Sequence, residues 1–295
     1  MWEEIERAIG EATGKPFTVR SRRPVAGGCI NESLCVQGDD RRLFVKLNDA
    51  ENLAMFEAEA AGLTAIRDSR SLRAPEPLAW GVSQGRSWLA LEFIAFSGPR
   101  PGSGATLGRQ LAAMHRTTAS RFGWERDNTI GSTPQPNAWM DSWIDFLRER
   151  RLRFQLELAA SRGAPGHLLT AGERLLELLP ALFAGYRPQP SLLHGDLWGG
   201  NWDTDENGSP VIFDPAVYFG DREADLAMTE LFGGFDTTFY QAYDADWPRD
   251  IGYEARKSLY NLYHVLNHFN LFGGGYAHQA GELIAALLAE LSPQA

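Results

Sequence analysis

A chain of 295 residues with 44% hydrophobic and 22% charged side chains has material for one large or two modest cores. Its 28 basic residues against 38 acidic ones give a net charge of −10, which argues against non-specific binding to nucleic acid. No stretch of the sequence is long and apolar enough to cross a membrane, and two cysteines, Cys29 and Cys35, cannot build a disulfide framework. The start, Met1-Trp2-Glu3-Glu4-Ile5-Glu6, is acidic and amphipathic, unlike a signal peptide. A soluble protein of the reducing cytoplasm is expected, with no nucleic acid or membrane partner. Nine Trp among many aromatics exceed what a core requires, so some are expected to line a pocket for a sugar or a base.

Residues 1–13 pattern as a helix, closed by Gly14 and by Pro16 just beyond it. Short β-type runs follow over 18–25, 33–37 and 43–47, with Gly38-Asp39-Asp40 turning the second into the third. A helix is expected over 50–68, then strands over 77–81 and 87–94 joined at Gln84-Gly85. The run Ser97-Gly98-Pro99-Arg100-Pro101-Gly102-Ser103-Gly104 is the strongest linker signal in the chain. Beyond it the pattern is helical over 105–118, 138–162, 170–184, 222–232, 253–271 and 281–291. Thr170 and Glu173 make a capping box for the third of these, and Arg150, Arg151 and Arg153 read as a solvated helix face. The expected class is α+β and bilobal: a small β-rich lobe over 1–96 and a larger, mainly helical lobe over 97–295.

The chemistry concentrates in His194-Gly195-Asp196-Leu197-Trp198-Gly199-Gly200-Asn201. This is the spacing of a kinase catalytic loop, H-x-D-L-x-x-x-N, with Gly195 where protein kinases carry Arg. Phosphoryl transfer to a hydroxyl needs a carboxylate to take or orient the hydroxyl proton, and Asp196 fits. It also needs a neutral oxygen ligand for the metal that bridges the phosphates, and Asn201 fits. After a turn at 205–208, Pro210-Val211-Ile212-Phe213 reads as a short buried strand ending in Asp214, the expected main Mg2+ ligand. Alone, Asp196 could cap a helix and Asn201 could close an Asx turn. The three in order, with a hairpin between, point to phosphoryl transfer.

Such an enzyme also needs a strand lysine, held by a helix glutamate, on the phosphates of ATP. Lys46 stands among β-formers in Leu43-Phe44-Val45-Lys46-Leu47. On the next helix, Phe56, Leu63 and Ile66 form one stripe that includes Glu59, whereas Glu57 points elsewhere. A carboxylate on an apolar stripe needs a partner, and Lys46 is the natural one. Gly27, Gly28, Cys29 and Asn31 belong to the turn ahead of Lys46, where backbone N–H groups can cover phosphates. Glu92, Phe93 and Ile94, running into the linker, are the expected backbone contacts of the adenine.

Less generic runs narrow the resemblance. These are Ala26-Gly27-Gly28-Cys29-Ile30-Asn31, Met55-Phe56-Glu57-Ala58-Glu59, Asn128-Thr129-Ile130-Gly131-Ser132-Thr133-Pro134-Gln135, Phe213-Asp214-Pro215-Ala216, Gly220-Asp221-Arg222-Glu223-Ala224-Asp225 and Asn267-His268-Phe269-Asn270-Leu271-Phe272-Gly273. With the catalytic loop, they make the chain resemble the fructosamine-3-kinase family, within the aminoglycoside phosphotransferase and protein-kinase-like group. The resemblance implies ATP- and Mg2+-dependent phosphorylation of a sugar hydroxyl on a ketosamine, small or protein-borne; the phosphorylated adduct then falls apart and frees the amine. Asp196 would be the base, Asn201 and Asp214 the metal ligands, and Lys46 with Glu59 the phosphate pair. Trp198 would stack on the sugar or wedge beneath the loop as packing. Asn128 and Gln135 would bind ring hydroxyls, and His268 or Asn267 would face the acceptor.

The competing enzyme reading is a phosphotransferase for an aminoglycoside or a choline-like acceptor. A polycation wants a strongly acidic site, whereas the Trp- and Asn-rich runs suit a neutral sugar better. A pseudokinase would have lost the base, a metal ligand or the lysine, and none is lost. His194, Asp221 and Asp225 read as structural, and His264 with His268 lacks the further ligands of a zinc site. Cys29 is expected either as a redox switch, linking a homodimer of an otherwise monomeric enzyme, or as a small buried hydrophobe.

Overall fold

The computed structural model describes residues 1–25 and 30–291, so Gly27, Gly28 and Cys29 lie outside the described residues. Two compact units emerge: Met1–Ser103 with Trp202–Pro215, and Gly104–Asn201 with Ala216–Ala295. The hairpin carrying Asp214 therefore belongs to the unit built from the N-terminal third, which a single cut at residue 96 does not capture.

The first unit holds a five-stranded antiparallel sheet in the order β1-β2-β3-β5-β4. Its strands are β1 (Ser21–Pro24), β2 (Glu32–Gln37), β3 (Arg42–Asp49), β4 (Pro77–Ser83) and β5 (Arg86–Glu92), with helices α1 (Trp2–Thr13) and α2 (Leu53–Asp68). Side chains alternate across a strand, so Leu43, Val45 and Leu47 of β3 share one face. That face packs with Ile5 and Ile9 of α1, Phe17, Val36 and Trp88. Lys46 consequently points to the opposite face, where α2 lies. Gly14 closes α1 in the left-handed conformation at φ 67°, as the sequence implies. The hairpin of Trp202–Thr204 with Pro210–Ile212 pairs antiparallel and leads directly to Asp214.

The second unit is mainly helical: α3 (Ser103–His115), α4 (Trp143–Phe146), α5 (Phe154–Ser161), α6 (Gly166–Leu182), α7 (Glu223–Leu231), α8 (Thr237–Asp246), α9 (Tyr253–Phe272) and α10 (Tyr276–Leu291). Its core joins Trp143, Phe146, Leu175, Leu179, Tyr260, Tyr263 and Ile284, among others. Three expectations change here. The helix foreseen over 138–162 is broken by a π-helical turn at Leu147–Arg153. Its altered phase turns Arg151 inward, 1% exposed, between the rings of Phe146 and Tyr218 at 4.6 and 4.1 Å, so it is no solvated face. And α6 begins at Gly166, so Thr170 is interior and donates its hydroxyl to the Gly166 carbonyl instead of capping. No helix among the described residues is long and apolar enough to cross a membrane.

Candidate active site

In the first unit, Lys46 Nζ donates to Glu59 Oε1 at 2.7 Å and to Asp214 Oδ1 at 2.6 Å. Lys46 and Glu59 are almost fully buried, whereas the Asp214 side chain is 46% exposed. Burial opposes the charge on Lys46, but Asp214 and Glu59 outweigh it and raise its pKa, so it remains an ammonium. Burial pushes Glu59 up, against the pull of Lys46. Asp214 adopts the left-handed conformation, φ 56°, which Asp tolerates better than most residues. Phe213 before it stacks on Phe96 at 5.0 Å, which fixes the approach to this turn.

Of the other residues expected to meet the nucleotide, Asn31 accepts at its Oδ1 from Asn48 Nδ2 at 2.6 Å, which ties it to β3. Glu92 is already engaged: its N–H donates to the Glu76 carbonyl at 2.8 Å and its carboxylate accepts from Arg73 at 2.8 Å. Phe93 packs under the Arg42 guanidinium at 4.4 Å, and Ile94 is buried.

In the second unit, the catalytic loop is built from backbone. Asp225, buried at the head of α7, accepts from the N–H groups of His194 at 2.7 Å and Gly195 at 2.8 Å. Burial works against its charge, yet hydrogen bonds from His115 and the loop hold its carboxyl below the usual range. His115 Nε2–H donates to Asp225 at 3.1 Å, and its Nδ1 accepts from the Tyr243 hydroxyl at 2.8 Å. Nothing in the sequence singles out His115, because its partners are 110 and 128 residues away.

Gly195 sits at φ 81°, and a Cβ there would lie 2.1 Å from the Ala216 carbonyl oxygen. The Arg of protein kinases has no room at this position, which accounts for the departure in the motif. Asn201 Nδ2 donates to the Asp196 carbonyl at 2.8 Å and to its carboxylate at 3.3 Å. Both bonds use the amide nitrogen, and Oδ1 takes no part in them. The Trp198 indole lies across Gly200, where a Cβ would meet the ring at 2.2 Å, and it is 41% exposed. The ring is therefore a ledge on the loop with an open side, not a wedge beneath it.

The chain matches the fructosamine kinase family over residues 1–290. The chain belongs to this family. It is 48% identical, over 97% of both chains, to a protein assigned as a ketoamine kinase in Synechocystis. It is 46% identical to the chloroplastic protein-ribulosamine 3-kinase of Arabidopsis thaliana, over 92% of this chain and 83% of that one. Among solved structures, a protein assigned as a fructosamine-3-kinase from Haemophilus somnus superposes with a TM-score of 0.91 at 30% identity, over 98% of each chain. The fold is protein-kinase-like.

In this member of the fructosamine kinase family, the Asn128 and Gln135 amides are committed within the protein. Gln135 is buried; its Nε2 donates to Asn128 Oδ1 at 2.7 Å and to the Ala216 carbonyl at 3.1 Å, and its Oε1 accepts from the Tyr263 hydroxyl at 2.7 Å. Asn128 Nδ2 donates to the Val217 carbonyl at 2.8 Å. These two side chains thus brace residues 216–217 and do not present free amides to a sugar. Arg151 donates to Asn137 Oδ1 at 2.7 Å, and Asn137 Nδ2 donates in turn to Asn128 Oδ1 at 2.8 Å.

Two buried imidazoles make stability depend on pH. Burial, helped by His268, drives His264 down to about 3, and burial also lowers His115. In the unfolded chain both imidazoles protonate near the ordinary histidine value, about 6.5, so the folded state is fully favoured above that pH and loses ground as pH falls. Asp221, pushed up to about 6 by burial and by Glu223, acts in the opposite direction between about pH 4 and 6. The test is accordingly a difference. In urea melts from pH 7 to 5, His264→Phe should flatten the pH slope by up to about 1.4 kcal/mol per unit. An unchanged slope would mean that His264 is protonated in the folded protein.

Proposed function

We propose that this protein transfers the γ-phosphoryl group of ATP to a sugar hydroxyl of a ketosamine. The observation that carries the reading is the Lys46 ammonium shared between Glu59 and Asp214, in a chain of the fructosamine kinase family. A cation fixed by a buried carboxylate is suited to the phosphates of a nucleotide, and holding it beforehand avoids reorganisation during transfer. Asp196 then has the base's role. It accepts the hydroxyl proton as the sugar oxygen bonds to the γ-phosphorus, and the bond to the β,γ-bridging oxygen breaks to release ADP. The exposed face of Trp198 offers the C–H surface of the sugar a flat partner.

Asn201 Oδ1 and the Asp214 carboxylate are the residues suited to Mg2+. Both are oxygen donors of the kind a hard cation takes, and the Asp214 carboxylate is half exposed. When bound, the metal would neutralise phosphate charge.

The reading is tested by incubating the protein, ATP and Mg2+ with fructosamines, ribulosamines and aminoglycosides while ADP is followed. Phosphorus NMR should show a new phosphomonoester on a ketosamine and none on kanamycin. Efficient turnover of aminoglycosides with none of ketosamines would overturn the acceptor class.

A further inference from the structure

One group of side chains in the second unit, of which only Tyr276 packs against the core, stands apart from the phosphoryl-transfer residues. His268, on α9, is surrounded by three rings: Phe232 at 4.9 Å, Tyr276 at 5.2 Å and Phe272 at 5.7 Å between centroids. Phe232 and Phe272 are 42% and 61% exposed, an unusual amount of apolar ring to leave gathered around one imidazole. His268 Nδ1 lies 2.8 Å from the His264 carbonyl. A carbonyl only accepts, so Nδ1 carries a proton, and in the tautomer protonated there alone Nε2 is an acceptor.

The group borders the catalytic loop. Gly233 and Gly234, directly after Phe232, pack on Gly199 so closely that a Cβ there would lie 2.8 Å from the Gly233 carbonyl oxygen and 2.9 Å from the Gly234 Cα. Gly199 follows Trp198 and is three residues beyond Asp196. An acceptor whose sugar rests on Trp198 can therefore extend its other end toward these rings.

The chemistry of the group selects what that end should be. Aromatic faces attract an organic cation, and they cover alkyl carbons. An imidazole acceptor takes an N–H, so the combination matches a protonated secondary amine bearing an alkyl chain. A neutral sugar hydroxyl gains little from ring faces, and a polycation would need carboxylates. We propose that Phe232, His268, Phe272 and Tyr276 form the subsite for the alkylammonium arm of the acceptor. Nε2 accepts the ammonium N–H, and the three rings enclose the charge and the first carbons of the chain. This assignment rests on the ketosamine reading above.

The test compares two acceptors that share a 1-deoxyfructosyl group: the N-propyl amine, a secondary ammonium, and the propyl ether, in which oxygen replaces the charged nitrogen. The wild type should favour the amine by about tenfold or more in kcat/KM, the scale expected of a desolvated cation–π contact. Phe272→Ala and His268→Leu should each erase at least about fivefold of that preference, mainly through KM for the amine. Phe272→Leu, which keeps bulk but removes the ring, should behave like Phe272→Ala. The ring is largely exposed, so folding is not at issue. Preservation of the amine preference in all three variants overturns the subsite and leaves the ketosamine reading standing. Failure of the wild type to phosphorylate the amine at all overturns both.

Discussion

Asp214→Asn should lower turnover by at least about two orders of magnitude while leaving a folded protein. Asn tolerates the left-handed conformation at least as well as Asp, so the φ of 56° does not penalise the exchange. The side chain is about half exposed, and Lys46 keeps Glu59 as a partner at 2.7 Å. What disappears is a negative charge suited to a hard cation, and losing one such electrostatic group typically costs about 2.7–4 kcal/mol of transition-state stabilisation. The measurement is ADP release against Mg2+ concentration, with a thermal melt to confirm folding. The variant should need much more Mg2+ and still remain slow at saturation. Near-normal turnover with unchanged Mg2+ dependence would remove Asp214 from the metal role.

Several of these features were legible because they are local. Lys46 lies on a strand whose alternation places Leu43, Val45 and Leu47 on the other face, and Glu59 lies on a helical stripe with Phe56 and Leu63; two periodicities, each read within a few residues, put them together. The motif around Asp196 is likewise one loop. Asp214 at the end of a strand was legible, but its bond to Lys46 spans 168 residues and leaves no local trace. The same limit governs Gln135 and Asn128. Their amides look available in sequence because the groups that use them, the Tyr263 hydroxyl and the carbonyls of Ala216 and Val217, come from distant segments.

Other departures have definite physical origins. A π-helical turn cannot be foreseen from a 3.6-residue period, and it is what turns Arg151 inward. The paired strands Asn128–Ile130 and Thr133–Gln135 are too short to show alternation. Helix α8 is marked in the sequence only at its start, where Asp236 accepts from the Phe239 N–H at 3.0 Å as an N-cap. Its Thr-rich, aromatic sequence lacks the apolar spacing that identified the other helices, and only the cap was there to be seen.

Lys46→Met and Glu59→Gln should each reduce turnover strongly, and the double variant should lose clearly less than the two losses combined. The pair is almost fully buried at 2.7 Å, so Lys46→Met leaves Glu59 without its countercharge in a site where burial already disfavours ionisation. Removing one member of such a pair costs about 3–5 kcal/mol of stability, and removing the second relieves the stranded group. Glu59→Gln, conversely, frees Lys46 toward Asp214, its other partner at 2.6 Å, so the ammonium is retained but drawn off the position that Glu59 defines. Both substitutions thus act on one quantity, the placement of a single positive charge. A coupling of about 0.5–3 kcal/mol in turnover and in unfolding free energy follows for residues in direct contact. Glu57→Gln, on the same helix but two residues off the Glu59 position, serves as the control and should combine with Lys46→Met additively. Strict additivity for Glu59, or coupling for Glu57 of equal size, would mean that Glu59 does not hold the lysine in the working enzyme.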